Sequence, residues 1–350
     1  MTSSEGRSII GWDIGGVNTK AARVDSRGGD SPEFRAVSAP YELRRDPSAL
    51  VPTLVRLANE LACPEGSPHA LTMTAELSQL FRTKRDGVAF ILDSMATAFP
   101  GQPLHVYTVD GQFIGPQEAR TRPLEVSASN WAATARLVGR LVPDAILIDI
   151  GSTSTDIIAI VGGRVEAVGR TDPARLSSGE LVYTGALRTP TEALAREVPL
   201  WGGRAAVSAE GFALTGDVHL WLGRLAPEDY TVPSPDGRPA TRQFAGERLA
   251  RIVCGDREML DETAIDAIAR TLADAQVELV AAALERVRQR WPLVTTAVVT
   301  GLGDFIAADA ASRVGLRVMP LADRLGAASR TAPAVAVAWL LSDELTRLPT

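Results

Sequence analysis

DIGGVNTK at residues 13–20 and DIGSTSTD at residues 149–156 share one pattern, although they lie in different halves of the 350-residue chain. Each segment follows an apolar run and leads into another, so each predicts a strand, a turn and a second strand. A bend rich in Gly, Ser and Thr exposes backbone N–H groups and hydroxyls with little side-chain bulk, and such concave arrays bind anions. Two copies of this motif therefore predict a clamp around a phosphorylated ligand.

The first residue of each segment, Asp13 or Asp149, ends its predicted strand where the turn begins. A carboxylate at that point is suited to holding Mg²⁺ or its water shell, and the alternative is a cap that accepts N–H bonds from its own turn. Lys20 either neutralises a phosphate as a point charge or is a solvated lysine at a strand start. The other candidates for phosphate contact are polar or glycine residues of the two segments: Gly15, Gly16, Asn18, Thr19, Gly151, Ser152, Thr153, Thr155 and Asp156.

The composition of the chain argues against several classes of binding partner. The formal net charge is -6, so the chain has no overall attraction to nucleic acid or to acidic membranes. The two cysteines, Cys63 and Cys254, form no CxxC motif and have no histidine at ligand spacing, which argues against a zinc site or a disulfide framework. No apolar run reaches the length of a membrane helix, and the N-terminus lacks a signal core. We therefore expect a soluble, cytoplasmic protein that binds neither nucleic acid nor membranes.

The length allows two domains. Residues 1–143 predict the first domain, on which the C-terminal helix 332–348 is expected to pack. Residues 144–331 predict a second domain that repeats the order strand, phosphate-type turn, strand. Within it, residues 170–255 are rich in Gly, Pro and Thr, and they predict an insertion of loops and short helices bordering a cleft.

Apolar spacing predicts helices over residues 76–81, 84–98 and 261–291. After the last of these, an apolar strand enters a third glycine-rich turn that opens another helix. Gly301 and Gly303 in this turn either permit close approach of a ligand or simply allow the tight turn itself.

The order of these three turns, DxGxxxxK, DxGSTxTD and a late TGxG, resembles the actin/hexokinase/Hsp70 superfamily. That resemblance implies an α/β fold with two ribonuclease H-like domains and a cleft between them. Further blocks are similar to the hydantoinase/oxoprolinase-related branch, and within it to a small group assigned to methanofuran biosynthesis and tetrahydromethanopterin-linked one-carbon metabolism. These blocks are TMTAEL (72–77), ASNW (128–131), GRTD (169–172), GELVYTG (179–185) and LTGDV (214–218).

The resemblance implies a transferase that joins an (aminomethyl)furan methyl diphosphate to the phenol oxygen of tyramine, tyrosine or a glutamyl derivative. Diphosphate is released, so the clamp would hold the leaving group, and Mg²⁺, Lys20 and backbone N–H groups would neutralise it. The implied partners are small molecules, and a homodimer is left open. An ATP-dependent small-molecule kinase and an ATP-coupled hydantoinase/oxoprolinase-like amidohydrolase share the same turns, and ATP is expected only for them. A nucleotide-gated binding protein is a further alternative, although no separate substrate-binding domain is recognisable.

Glu76 lies just past a predicted strand end, where it can serve as general base for the phenol or as an anchor for an amine. The alternative is a capping residue that answers Thr72 or Thr74. The resemblance also implies substrate contacts at Asn130, Arg170, Tyr183 and Thr184. The alternative for Asn130 is a helix cap, and the alternative for Arg170 is an ordinary loop ion pair. The three histidines show no pairing pattern and are predicted to be structural or on the surface.

Overall fold

The computed structural model describes residues 7–26 and 32–347. Within them the chain forms fourteen strands and twelve α-helices. The strands are β1 Arg7–Ile14, β2 Asn18–Ser26, β3 Glu33–Pro40, β4 His69–Met73, β5 Leu104–Tyr107, β6 Phe113–Ile114, β7 Ala145–Ile150, β8 Thr155–Val161, β9 Arg164–Val165, β10 Leu181–Val182, β11 Glu197–Leu200, β12 Gly203–Ala206, β13 Thr296–Thr300 and β14 Arg317–Pro320. The helices are α1 Leu50–Glu60, α2 Lys84–Ala98, α3 Pro116–Thr121, α4 Pro123–Val126, α5 Asn130–Leu141, α6 Asp172–Ser178, α7 Thr215–Trp221, α8 Arg242–Arg251, α9 Glu262–Arg290, α10 Asp304–Arg313, α11 Ala322–Leu325 and α12 Ala332–Arg347. None of these helices has the length and apolarity that a bilayer crossing requires.

The chain divides into two compact units. The first comprises the described residues up to Asp144, Ile160–Ala174 and the described stretch from Leu321 onward. The second comprises Ala145–Ala159 and Arg175–Pro320. Each unit contains one of the two predicted phosphate turns.

A six-stranded sheet in the order β3-β2-β1-β4-β5-β6 forms the centre of the first unit. Strand β1 pairs antiparallel with β2 through the first glycine turn and parallel with β4, which in turn pairs parallel with β5. All five residues of β4 are buried, as is typical of a parallel strand whose two faces are both covered. Helix α12 packs so closely on β1 that a Cβ at Gly11 would lie 1.9 Å from the Ala334 carbonyl oxygen. The carboxyl ends of β1, β4 and β5 thus meet at one edge of the sheet, where ligands of α/β proteins commonly bind.

The second unit is organised around a sheet in the order β10-β8-β7-β13-β14. Strand β13 pairs parallel with both β7 and β14, and its Thr300 lies opposite Asp149 at the end of β7. The second and third glycine turns therefore leave from adjacent strands. Helix α9 buries a long, largely aliphatic face, part of which joins an apolar cluster with α7 and α8.

Three details differ from the sequence predictions. The helix predicted over 76–81 is wrong, because the backbone forms only a 3-10 turn at Ala75–Leu77 and Ser78 is extended with ψ 138°. The turns are shorter than predicted, since β1 and β7 each continue one residue past Asp13 and Asp149, and β2 and β8 already begin at Asn18 and Thr155. The insertion 170–255 also contains the hairpin β11–β12, which was not predicted because each of its strands has only four residues.

The predicted domain boundaries, 1–143 with 332–348 and 144–331, stay a prediction. Helix α12 ends at Arg347. The last residue of the predicted C-terminal helix, Leu348, lies outside the described residues.

Candidate functional site

The first turn brings a carboxylate and an ammonium group together. Asp13 and Lys20 are direct partners across the β1–β2 hairpin, and Lys20 Nζ lies 3.6 Å from Asp13 Oδ2. The Gly15 N–H donates to the Asn18 carbonyl oxygen at 3.0 Å, which closes the bend. Asp13 is buried while Lys20 is partly exposed, so the pair offers a positive charge to solvent at the strand end.

Gly16 leaves open space at the tip of this turn. No atom lies within 4 Å of the position its Cβ would occupy, and its φ is outside the left-handed region. Neither packing nor backbone conformation therefore requires glycine at this position. Absence of a side chain does keep the backbone N–H groups accessible, which suits a phosphate.

The other candidate residues of this hairpin differ in the face of the strand that they occupy. Asn18 and Lys20 are partly exposed, whereas the Thr19 side chain between them is completely buried and pairs with Ile14 across the hairpin. Successive side chains of a strand point to opposite faces, so Thr19 faces the core while Lys20 faces away from it. The Thr19 hydroxyl is consequently not presented with Lys20.

Several polar residues gather where β1, β4 and β5 end. The Thr74 N–H donates to the Ile14 carbonyl oxygen at 2.9 Å, and the Ser129 hydroxyl donates to the Tyr107 carbonyl oxygen at 2.9 Å. The hydroxyls of Thr72 and Ser129 lie 2.8 Å apart. Ala128 directly precedes Ser129 and has a φ of 48°, a left-handed conformation that costs free energy for a residue with a side chain. Strain of this kind commonly persists at functional sites.

Glu76 lies in the short turn after β4 and is only 1% exposed. Burial raises the pKa of its carboxyl group to about 7, against the opposing attraction of Lys84. Within the described residues neither carboxylate oxygen of Glu76 has a hydrogen-bond partner. Lys84 Nζ lies 3.6 Å from Glu76 Oε1 and 2.7 Å from Asp172 Oδ2. A carboxyl group with these properties can exchange a proton near neutral pH.

Close packing of helix α2 produces this arrangement. A Cβ at Gly87 would lie 2.5 Å from the Glu76 Cα, so only glycine lets the helix approach the turn. The helix begins one turn earlier, where Thr83 and Asp86 form a capping box. Lys84 at the first helical position is thereby held over the Glu76 carboxylate.

The second turn repeats the geometry of the first. The Gly151 N–H donates to the Ser154 carbonyl oxygen at 3.0 Å, as Gly15 does to Asn18. Ser152 and Thr153 are partly exposed, and their hydroxyl oxygens lie 3.5 Å apart. Backbone N–H groups and two hydroxyls are therefore available at the tip.

The third turn packs directly on the second. Gly301 has a φ of 93°, and a Cβ there would lie 2.3 Å from the Ile150 carbonyl oxygen and 2.6 Å from Asp149 Oδ1. The Gly303 N–H donates to the same Ile150 carbonyl oxygen at 2.9 Å. Backbone conformation and packing are thus sufficient reasons for glycine at Gly301. Close ligand approach at Gly301 and Gly303 stays a prediction.

Comparison with known proteins identifies the family. The sequence model of the family described as Hydantoinase/oxoprolinase matches residues 68–344. This chain belongs to the hydantoinase/oxoprolinase family. Within the family it is similar to a Methanocaldococcus jannaschii protein named (4-{4-[2-(gamma-L-glutamylamino)ethyl]phenoxymethyl}furan-2-yl)methanamine synthase, with 36% identity over 97% of this chain and 99% of that protein. A Methanococcus vannielii protein of the same name is 34% identical over 58% of this chain and 92% of its own length.

Among solved structures, nucleotide-free acetone carboxylase is similar to this hydantoinase/oxoprolinase family member with a TM-score of 0.50 and 13% identity. The likeness covers 95% of this chain and 70% of that one. The predicted fold class is confirmed as α/β with two ribonuclease H-like units, and the predicted family is confirmed as well. The cleft between the units stays a prediction.

Some predicted site residues of this family member are occupied by internal contacts. The Thr155 hydroxyl donates to the Thr184 carbonyl oxygen at 2.7 Å, and both residues are completely buried. The Asp156 carboxylate lies 2.7 Å from the Arg175 guanidinium. Arg170 is exposed, and its guanidinium pairs with the Asp110 carboxylate. The Arg170 contact is of the kind that the ion-pair alternative describes. Ligand contact by Thr155, Asp156, Arg170 and Thr184 stays a prediction.

Two further candidates remain accessible. Tyr183 is 59% exposed and follows β10, which pairs with the start of β8. Asn130 is partly exposed at the first position of α5, directly after the strained Ala128 and the buried Ser129. Contact of either side chain with an aromatic substrate stays a prediction.

Sequence reasoning missed Lys84. Its partner Asp172 is 88 residues away, so no local spacing connects them. A signal was present nonetheless, because Lys84 and Arg85 open a helix whose positive dipole end disfavours cations. A lysine in that position indicates an anionic partner elsewhere in the chain.

The donor set fits a magnesium ion of the substrate-bridging kind. Mg²⁺ in phosphate sites is commonly bound through one or two carboxylates, with phosphate oxygens and waters completing the shell. Asp13 provides a carboxylate beside a turn with open space at Gly16, and Asp149 provides one beside a turn with partly exposed hydroxyls. That both carboxylates bind one ion stays a prediction. Over residues 7–26 and 32–347 no group of three or more His, Cys, Asp and Glu side chains is clustered for metal binding.

Proposed function

We propose that this protein joins an (aminomethyl)furan methyl diphosphate to the phenol oxygen of tyramine, tyrosine or a glutamyl derivative, in methanofuran biosynthesis for tetrahydromethanopterin-linked one-carbon metabolism. The observation that carries the proposal is the 36% identity to a named synthase of this furan ether over 97% of the chain and 99% of that relative. A match that runs through both units includes the motifs of both phosphate turns. The small-molecule partners, a homodimer and a cytoplasmic location are parts of the same proposal.

The reaction requires one bond to form and one to break. The phenol oxygen bonds to the furanylmethyl carbon, and the bond from that carbon to the diphosphate oxygen breaks with its electron pair on diphosphate. A furanylmethyl carbon supports cationic character, so stabilising the leaving group lowers the barrier. We assign this task to Lys20, the backbone N–H group of Gly16 and the hydroxyls of Ser152 and Thr153.

Asp13 and Asp149 would hold Mg²⁺. When bound, the ion supplies positive charge that neutralises the departing diphosphate. The lack of a side chain at Gly301 supports this assignment, because a Cβ there would lie 2.6 Å from Asp149 Oδ1 and would take the space that the carboxylate occupies.

The phenol proton needs an acceptor, and we assign Glu76 to that role. Burial raises its pKa to about 7, so the carboxyl group can gain and lose a proton near neutral pH, which suits a general base. Lys84 and Asp172 act through Glu76 as positioning residues. The Asp172 carboxylate holds Lys84 Nζ at 2.7 Å, and Lys84 Nζ lies 3.6 Å from the Glu76 carboxylate. Proton transfer requires the phenol to reach a side chain that is now covered, so substrate binding must expose Glu76.

The experiment is a product assay with the purified protein. With Mg²⁺, furan diphosphate and tyramine or glutamyl tyramine, we expect equal amounts of diphosphate and furan ether, measured by phosphate chemistry and mass spectrometry. Reactions without the phenol serve as the control. ATP turnover that needs no furan substrate would overturn the proposal in favour of a kinase or an ATP-coupled amidohydrolase.

A further inference from the structure

The segment Gly185–Thr189 supports the second phosphate turn through backbone hydrogen bonds. The N–H group of Ala186 donates to the Gly151 carbonyl oxygen at 2.9 Å, and those of Leu187 and Arg188 donate to the Ser152 carbonyl oxygen at 3.1 and 3.0 Å. At Gly185 a Cβ would lie 2.5 Å from the Thr153 nitrogen. The position of the turn therefore depends directly on the position of this segment.

The segment is in turn held by the side-chain amide of Gln276 on helix α9. Gln276 Nε2 lies 2.9 Å from both the Gly185 carbonyl oxygen and Thr184 Oγ1. A carbonyl oxygen can only accept, so the NH₂ end of the amide must face Gly185. The amide oxygen then accepts from His219 Nε2 at 2.8 Å, which places the histidine proton on Nε2.

The hydroxyl groups continue the same order of donors and acceptors. Thr184 Oγ1 accepts from Gln276 and lies 3.0 Å from Thr189 Oγ1, which also accepts from the Gly185 N–H at 3.0 Å. The Thr215 hydroxyl donates to the Gly185 carbonyl oxygen at 2.9 Å. All the side chains of this network are buried, so water does not compete for their hydrogen bonds.

Gln276 stands out from the rest of its helix. Every other residue on the buried face of α9 is aliphatic. An aliphatic residue would pack there without desolvating an amide, so hydrophobic stability alone does not explain glutamine. A buried hydrogen-bonded network instead specifies one geometry for the backbone it contacts.

We propose that Gln276 is a positioning residue for phosphate binding. Through its hydrogen bonds to the segment Gly185–Thr189, it fixes the position of the turn Gly151–Ser154. The inference rests on the proposed function only for the identity of the phosphate ligand. Histidine at 219 completes the network by orienting the amide, and its ring also contacts the Phe305 ring on α10, the helix opened by the third turn.

The test compares Gln276→Met, which keeps the side-chain volume and removes the hydrogen bonds, with Gln289→Met on the exposed face of the same helix. Binding of inorganic diphosphate with Mg²⁺ is measured by calorimetry, without any turnover. We expect about tenfold weaker binding for Gln276→Met, a loss equivalent to about 1.4 kcal/mol, and no change for Gln289→Met. In the product assay the KM for the furan diphosphate should rise by a similar factor, while the KM for the phenol stays constant.

A merely structural role would lower the folded fraction and the apparent kcat but leave the diphosphate affinity and KM of the folded protein unchanged. That result would overturn the inference. If Gln276→Met does not fold, Thr189→Val removes the acceptor of the Gly185 N–H and is judged by the same measurements. Failure of the furan assay in the wild-type protein would count against the proposed function alone, since the diphosphate comparison does not depend on it.

Discussion

Replacing Glu76 by glutamine should separate stability from activity. Burial raises the pKa of Glu76 from 4.5 to about 7, so between these pH values the native carboxyl group holds a proton that the unfolded chain has lost. A native state that binds more protons loses stability as pH rises, and this loss is complete above pH 7. Each pH unit of this interval lowers the free energy of unfolding by about 1.4 kcal/mol, so the loss over the whole interval is about 3 kcal/mol.

Glutamine has the same shape and does not ionise. We therefore expect Glu76→Gln to match the wild type near pH 4 and to exceed its unfolding free energy by up to about 3 kcal/mol at pH 8. Lys84 keeps its 2.7 Å contact with Asp172 in the variant, so no buried cation is left alone. Turnover should fall, because the variant lacks the general base. The rise in rate with pH near 7 should disappear for the same reason.

The assay is urea unfolding of both proteins at pH 4.5, 6 and 8, with turnover measured on the same samples. Glu65→Gln, at an exposed glutamate, is the matched control and should show no pH-dependent difference. The reasoning is refuted if Glu76→Gln is less stable than the wild type at pH 8, or if the difference in stability does not vary with pH.

Three other changes test the site. Asp13→Asn and Asp149→Asn should each lower turnover and raise the Mg²⁺ concentration needed for half activity while circular dichroism stays native; unchanged activity in both would make these residues turn caps. Lys84→Met removes the attraction that lowers the pKa of Glu76, so the rate should rise at a higher pH than in the wild type, and a pH profile that does not move contradicts the contact. Gly301→Ala should destabilise the protein by about 2 kcal/mol or more, because φ is 93° and the new Cβ would meet the Ile150 carbonyl oxygen; an unchanged melting temperature would argue against the third-turn packing.

Local pattern was enough to predict the central elements of the fold. The apolar runs beside each DxG segment became β1, β2, β7 and β8, and the predicted helix over 261–291 is α9. These signals succeed because strand and helix periodicities depend on residues a few positions apart. The helix over 76–81 failed because a short apolar spacing cannot reveal that the backbone turns out of helix at Ser78.

The site was predicted only in part for a related reason. Asp13 and Lys20 were each predicted as site residues from the sequence, and the structure shows that they pair across the hairpin. Whether a hydroxyl in such a segment faces the ligand side depends on where the strand begins, and Thr19 proved to be buried. Similarity of whole blocks supplied the family, which no single turn could have identified.

The sequence by itself therefore determined the two hairpins, the acidic residue near the end of each first strand, and the family, because each is encoded in contiguous residues. Only the tertiary structure decided which side chains act together. Lys84 reaches Asp172 over 88 positions, and Gln276 reaches Thr184 over 92. Contacts over such distances follow from how helices pack on the sheets, and burial then sets the charge state of Glu76 and the hydrogen-bond order around Gln276.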